Sequence, residues 1–489
     1  DLNYRTGGWD IIGKLVYYNQ HSYQISDQMS GNTFVKMPDG SVKHNLMEGP
    51  FAFIGHNSGI SGDLGLNWQI NENHSLGMKM NYGGMLFGNQ DIVFEDNVYA
   101  NDELIDIVHS TSHTTTPSSH TFTGNIYYDG NINKLHVNFN ADFSNSDYKK
   151  ETNVNENSQN DPAFIENLSD GVARMGAGKL VLSYPIWKGM FKIGTEETYV
   201  SAKQEYNSTK TEIPSSKAKI TENNISGFAE YALPFKYVQV VAGIRYEHVN
   251  FKYTNECSPK DNINRTHNNW FPSFNASTKI GPVGINLGYT TKIKRPRYDQ
   301  LSTEMQYNNR FLYQTGDPTL LNEIQNTLSL NANWRWLTLT GAYEVVDNAI
   351  YQLGYPYDDD CTAMVKYSNA KETVRKLNIY LNASPTVGIW NPRYTVGMEK
   401  QYFETTVIDP RESTGTRVVK RNDPMFFVQA NNSFKLKQGW LIDLDYQYTS
   451  PFDYVMYKFT KPKHGLNLAV SKSFLKHDAL NVRLAWNDI

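Results

Sequence analysis

One feature constrains this chain more than any other. Apolar and polar side chains alternate with a period of two, in segment after segment, along nearly the whole length. Leu135, Val137, Phe139, Ala141 and Phe143 alternate with His136, Asn138, Asn140, Asp142 and Ser144. The same rhythm carries Leu64, Leu66, Trp68 and Ile70, then Leu76, Met78, Met80 and Tyr82. It returns in Leu328, Leu330, Ala332 and Trp334, in Leu377, Ile379, Leu381 and Ala383, and in Trp440, Ile442, Leu444, Tyr446 and Tyr448. Leu480, Val482, Leu484 and Trp486 repeat it near the end. A period of two places one set on each face of a strand, so these segments bury one face only.

A soluble sandwich and an outer-membrane barrel both use such strands. In the first the apolar face meets a second sheet; in the second it meets lipid while the polar face lines a wet lumen. Length separates them. Many runs reach about nine to eleven residues, what a tilted strand needs to cross the hydrocarbon layer; globular strands average about five to six. Connections separate them again, because short and long ones alternate. Short turns fall at 71–73, 130–133, 185–189, 233–236, 281–283 and 475–477. Long polar connections fall at about 20–59, 88–118, 148–172, 206–222, 254–270, 296–323, 353–362, 405–422 and 449–463. Short periplasmic turns and long extracellular loops are what a barrel shows. The expectation is an all-β, antiparallel transmembrane β-barrel over residues 1–489 with about 19 strands present of a probable 22. Bacterial single-chain barrels have even strand numbers, so closing strands are expected outside this chain.

Composition agrees. Aromatic residues make up 13% of the chain, and 32 Tyr outnumber 23 Phe, which suits rings held between an apolar and a wet phase. Mean hydropathy is −0.56, and no stretch approaches the roughly 18 apolar residues of a spanning helix. Barrel strands look polar on average because only alternate side chains face lipid. A net charge of −4 leaves no basic footprint for nucleic acid. Trp68, Trp187, Trp334, Trp336 and Trp440 lie beside short turns and are expected to form a belt at the periplasmic interface.

One long connection carries a sharper pattern. Arg295, Pro296, Tyr298 and Leu301, then Gly316, Asp317, Pro318, Leu320 and Glu323, resemble the long-loop signature of TonB-dependent receptor barrels. That family writes it as Arg-x-Pro-x-Tyr-x-x-Leu followed by Gly-Asn-Pro-x-Leu-x-Pro-Glu. Here Arg295 sits one residue closer to its proline, Asp317 takes the Asn place and Asn322 the second Pro place. The opening Leu2-Asn3-Tyr4-Arg5 resembles the segment after the family's plug domain, and Trp486-Asn487-Asp488-Ile489 resembles a late strand. The resemblance implies uptake of a nutrient across the cell outer membrane, driven by an inner-membrane energy-coupling complex that acts through a plug. No plug segment is present among these residues. Partners expected are outer-membrane lipid, that coupling complex and a surface lipoprotein. The alternative is a non-transporting barrel, an adhesin, assembly component or scaffold that binds through its extracellular loops.

No enzyme is expected: nucleophile elbows, metalloprotease motifs and phosphate-cradling loops are all missing from the sequence. No cofactor or metal ion is implied either, and no ligand-binding residue stands out. His109, His113 and His120 in the Ser/Thr-rich stretch 109–123, and Asp358-Asp359-Asp360, read as solvated loop residues before they read as metal ligands. Lys79, Asp142, Asp443, Asp445 and Arg483 fall on the lumen face, where they either line a solute path or hydrate the wall. Recurrent strand glycines (Gly83, Gly84, Gly227, Gly243, Gly288, Gly341, Gly397) read as sites of bending. The two cysteines, Cys257 and Cys361, both fall in long connections and so on the outer side. There they either pair or remain two free thiols; a bridge closing a loop of about a hundred residues contributes at most roughly 4–5 kcal/mol.

Overall fold

In a bilayer every backbone N–H and C=O must find a partner within the protein, and the chain meets that demand with one continuous antiparallel ladder. The structure is a computed structural model that describes residues 2–159, 162–357, 363–455, 457–475 and 480–489. In chain order the first strands are β1 (Leu2–Thr6), β2 (Trp9–Lys36), β3 (Val42–Asn71), β4 (His74–Ala100), β5 (Glu103–Ile132), β6 (Leu135–Ser158) and β7 (Ala163–Ile186). Then come β8 (Gly189–Ser208), β9 (Ser216–Pro234), β10 (Val238–Asn255), β11 (Ile263–Ile280), β12 (Val283–Lys294), β13 (Met305–Asn309) and β14 (Leu312–Thr315). β15 (Glu323–Trp334), β16 (Leu337–Asp347), β17 (Ile350–Pro356), β18 (Ala363–Asn369), β19 (Val374–Ala383), β20 (Trp390–Ile408) and β21 (Thr416–Arg421) follow. The last are β22 (Met425–Lys435), β23 (Trp440–Thr449), β24 (Phe452–Tyr454), β25 (Tyr457–Phe459), β26 (Lys463–Phe474) and β27 (Leu480–Trp486).

All but β13, β14, β17, β18, β24 and β25 belong to one sheet of 21 strands. Apart from β21, which pairs only with β20, each of these strands pairs antiparallel with the next along the chain, as in β2 with β3, β6 with β7 and β12 with β15. This meander is the all-β architecture expected from the alternation. The short turns expected from the sequence, such as those at residues 72–73, 133–134 and 187–188, fall at one end of it. No pairing joins β1 to β27 among the described residues, and both edge strands are exposed along their whole length.

The long connections are where the structure departs from expectation. Segments 20–59, 88–118 and 148–172 are not irregular loops. They continue the ladder, giving strands of 28, 30, 27, 30, 24 and 24 residues from β2 to β7. At about 3.3 Å per residue a 30-residue strand runs about 100 Å, well over twice a membrane crossing. Above the lipid neither face must be apolar, so the alternation fades while hydrogen bonding persists. Thr-rich stretches suit such strands because β-branched side chains fit the pleat. The β4–β5 hairpin closes tightly at Asn101 and Asp102, whose φ values of 51° and 67° match a turn of the strand-compatible hand. Pro117, which cannot donate to a ladder, sits in the register shift between Thr115 and Ser118.

Facing follows the sequence pattern. Phe139 and Phe143 stand 41% and 48% exposed, with no second sheet against them. The opposite face of the same strands carries a cross-strand polar network: Asn125 donates to Asp142 at 2.7 Å, Asn138 to Asp129 at 2.9 Å and Asn140 to Asn138 at 2.8 Å. One face therefore solvates itself and the other requires an apolar medium. Phe139→Arg should cost about 2–4 kcal/mol in denaturant unfolding from bilayers, while Asn140→Arg on the lumen face should fall within about 1 kcal/mol of wild type.

Candidate functional site: a cap seated in the extracellular mouth

After β12 the chain leaves the wall. It forms one helical turn, α1 (Tyr298–Leu301), and the hairpin β13–β14 before rejoining the wall at β15. The next long connection contributes β17–β18, and β14 pairs parallel with β18. The result is a separate four-stranded sheet in the order β13-β14-β18-β17. It sits against the inner face of the tall strands rather than above them. Tyr307, Tyr313 and Met364 of this cap pack with Val154, Ile165, Tyr206 and Ile213. Phe311 packs with Val98 and Val108, and Leu301 and Leu320 pack with Ile220, Phe251 and Tyr253. Fully burying one such side chain contributes about 1.5–3 kcal/mol, so these clusters hold the cap firmly.

Polar contacts fix its position. The Tyr307 hydroxyl donates to Glu156 at 2.7 Å, and the Arg310 amide donates to the same carboxylate at 2.9 Å. Arg310 pairs with fully buried Asp106, which also accepts from Ser158 at 2.6 Å. Ser110 donates to the Asn308 carbonyl at 2.8 Å, and Tyr206 to the Met305 carbonyl at 3.0 Å. Asn309 reaches Asp96 at 3.3 Å. Burial pushes the Asp96 carboxyl up to about 6, against the lowering effect of that Asn309 bond, and pushes Glu156 up in the same way.

The motif residues 295–323 are the root of this cap. Arg295 bridges two wall carboxylates, Glu247 at 2.8 Å and Glu222 at 3.1 Å. It ends a ladder of alternating charge that runs from Lys179 to Glu196, Arg245 and Glu247, with spacings of 3.6, 3.3 and 2.8 Å. Pro296, without an N–H, is buried between that arginine and α1, where Tyr298 packs against the Leu301 cluster. Gly316 crosses the helical turn so closely that a Cβ would lie 2.4 Å from the carbonyl oxygens of Gln300 and Ser302. The Asp317 amide then donates to Gln300 at 2.6 Å, and its side chain accepts from Thr319 and pairs with Lys366 of β18 at 3.0 Å. Pro318 follows in that turn, and Leu320 is buried beneath it. Glu323 accepts the Ile350 amide at 2.6 Å and pairs with Lys294 at 3.1 Å, joining both inserted hairpins. The motif is thus a hinge pin, with no catalytic geometry.

Two cavities flank it. One, of about 280 Å³, lies between β9–β11 and the motif and presents Arg265, His267 and Arg295 beside Glu222. The other, also about 280 Å³, lies between β13–β14 and the inner face of β4–β8. Its wall includes Ser112, Thr114 and Thr116 from the Ser/Thr-rich stretch, together with Tyr148, Gln204 and Tyr206. The Gln204 Oε1 atom is buried without a hydrogen-bond partner. Half-buried Glu304 lines the same space, and burial pushes its carboxyl up to about 7.

Other singled-out residues lie elsewhere. Trp68, Trp334, Trp336 and Trp440 are exposed at the short-turn end, and Trp187 is 75% exposed at the tip of its turn; Trp9 stacks on Trp68 at 5.4 Å. His113 and His120 lie on a strand and not in a loop: His113 pairs with Asp91 at 2.5 Å and His120 meets the Tyr82 hydroxyl at 3.0 Å. His109 is on the same strand, and no group of three metal-ligating side chains forms among the described residues. Lys79 lies over Tyr127, and Arg483 pairs with Asp443 at 3.8 Å. Cys257 is exposed beyond β10. Cys361 and Asp358-Asp359-Asp360 lie outside the described residues. Asp96, Asp106 and Glu156 were not singled out in the sequence, because 88–118 and 148–172 read there as loops, and Gln204 passed as one more polar position of a wall strand. Thr-rich β-branched runs were the one available signal.

A family profile described as outer membrane protein beta-barrel family matches residues 127–489. The chain belongs to this family. As a member of it, the protein resides in the cell outer membrane. No curated protein matches it in sequence. Among solved structures it resembles a copper transporter OprC at 11% identity and TM-score 0.61, covering 96% of this chain and 76% of that one. It also resembles the FrpB iron transporter from Neisseria meningitidis at 12% and 0.58, covering 99% and 78%. The outer membrane transporter YddB from Escherichia coli aligns at 9% and 0.57, covering 98% and 71%. These likenesses establish a TonB-dependent receptor type of barrel fold for this family member, and they concern transporters and receptors.

Two outcomes follow for the cap. Gly316→Val, forced against backbone carbonyls, should loosen the cap by about 1–3 kcal/mol. Trypsin should then cut after Arg310 or Lys366 while the membrane-embedded wall stays intact. Because the Asp96 carboxyl is raised, the docking it favours is fully present below about pH 4 and is lost as pH rises through about 6. Asn309 faces it. A spin label on the cap should therefore gain mobility between about pH 4 and 6 in wild type, and that step should flatten in Asp96→Asn.

Proposed function

We propose that this outer-membrane barrel is an uptake receptor: it captures a nutrient beneath the cap and releases it into the lumen when the cap moves. The observation that carries this reading is the cap itself, folded inward by the family-type motif and leaving a cavity against the wall. A structure built only to adhere has no need of a root that ties an inward sheet to Glu222, Glu247 and Lys366. Residues 1–489 act as one barrel domain, with Trp68, Trp187, Trp334, Trp336 and Trp440 anchoring the periplasmic interface. Energy comes from an inner-membrane coupling complex, and a surface lipoprotein meets the rim. The protein is not an enzyme. The strands of 24–30 residues that rise beyond the membrane support a second reading, a binding scaffold that does not transport.

A lock on the cap discriminates the two. Ser110→Cys with Asn308→Cys, placed where the Ser110 hydroxyl now meets the Asn308 carbonyl, should form a bridge in a Cys257→Ser, Cys361→Ser background. Under nutrient limitation the locked strain should grow as poorly as a deletion strain and recover when a reductant opens the bridge. Growth of the locked strain at the wild-type rate would favour the scaffold.

A further inference from the structure

The cavity between the cap and β4–β8 has a chemistry of its own. Resting on the uptake reading, we propose that it binds a neutral, polyhydroxylated solute, a sugar or polyol of one or two rings. Ser112, Thr114 and Thr116 project into it from alternate positions of β5, and Thr152 and Ser169 add hydroxyls from the next two strands. Gln204 completes the floor, and Gln306 and Gln314 close the cavity from the cap. Hydroxyls and carboxamides both donate and accept, so the lining matches a ligand whose own groups do both. Hydroxyl groups are that ligand.

Charge argues the same way. Lys150, Asp299 and Glu304 are the charged side chains on the lining among the described residues. Arg297 grips Asp299 through two bonds of 2.9 and 2.7 Å, and Lys150 lies 5.3 Å from the Tyr148 ring with Glu304 as its opposite charge. The lining thus carries no cluster of like charge to grip an ionic ligand, and burying an ion without a partner is costly. The contrast with the neighbouring cavity is direct, since that one sets three arginines and a histidine against one carboxylate.

Shape and one unmet bond complete the case. Tyr148, Tyr206, Tyr307 and Tyr367 contribute aromatic rings to the lining, the kind of surface that suits a sugar ring's C–H face. Gln204 Oε1 is buried and unpartnered, and native buried acceptors are normally satisfied. A ligand hydroxyl would supply its donor once the carboxamide, which lines the cavity, turns that oxygen inward. The volume of about 280 Å³ lies at the small end of small-molecule sites, which excludes long polymers as the occupant of this space.

The test places one cysteine in the cavity, Thr114→Cys, in the Cys257→Ser, Cys361→Ser background of the purified protein in nanodiscs. Ser112→Cys is the second position, should the first disturb the strand. The readout is the rate of modification by a neutral methanethiosulfonate, with neutral mono- and disaccharides as protecting probes. Glucuronate and citrate are the anionic probes and spermidine the cationic one. At least one neutral sugar should slow modification tenfold or more. Gln204→Leu should weaken that protection at least tenfold, and Lys236→Met, at the short turn between β9 and β10 and outside the cavity, should change it less than twofold. Protection by the charged probes alone, or by none of the neutral sugars, overturns the ligand class and leaves uptake to be judged by the cap lock. A cysteine that never reacts at either position shows a sealed cavity, and then the ligand class and the uptake reading fall together.

Discussion

The backbone ladder is the constraint on which everything else depends. A chain in lipid cannot leave amides unpaired, and this one pairs each wall strand with its neighbour along the sequence. Having built that ladder, the chain does not stop it at the membrane surface. β2 to β7 carry it far above the lipid, so their inner faces form a rigid, hydroxyl-rich surround. An inward-folded cap needs such a surround, because its own four strands are short and bury one side only against a firm partner.

The cap is held by two kinds of contact that fail under different conditions. Apolar clusters around Leu301, Tyr307 and Phe311 supply cohesion that pH does not touch. The carboxyl groups of Asp96, Asp106 and Glu156 supply position; all three are buried, and at Asp96 and Glu156 burial makes ionisation costly. Breaking a buried pair by removing one partner costs several kcal/mol, so Arg310 with Asp106 defines where the tip of the hairpin comes to rest. The motif around Gly316 and Asp317 sets the other end. A sheet fixed at both ends by such contacts is held as a unit.

Fold class, strand order and the short-turn end were all legible in the sequence, because lipid enforces a strict alternation. Phe139 and Phe143 against Asn138, Asn140 and Asp142 show this most plainly. Strand length above the membrane was not legible. There water satisfies both faces, so Ser112, Thr114 and Thr152 carry no apolar partner rhythm and read as loop. The motif announced that 295–323 mattered, yet its inward fold depends on β18, Glu247 and Glu156, which are distant in the chain. The cavity lining is assembled from five wall strands and the cap, so no local pattern could reveal it.

Hydrogen exchange of the protein in lipid tests the central claim most directly, since it asks whether the cap is a packed sheet within the wall. Amides of 305–315 and 350–356 should exchange slowly, within an order of magnitude of the adjoining strands β5 and β6. Exchange of those two segments at the rate of exposed, unstructured chain, beside a protected wall, would contradict the account.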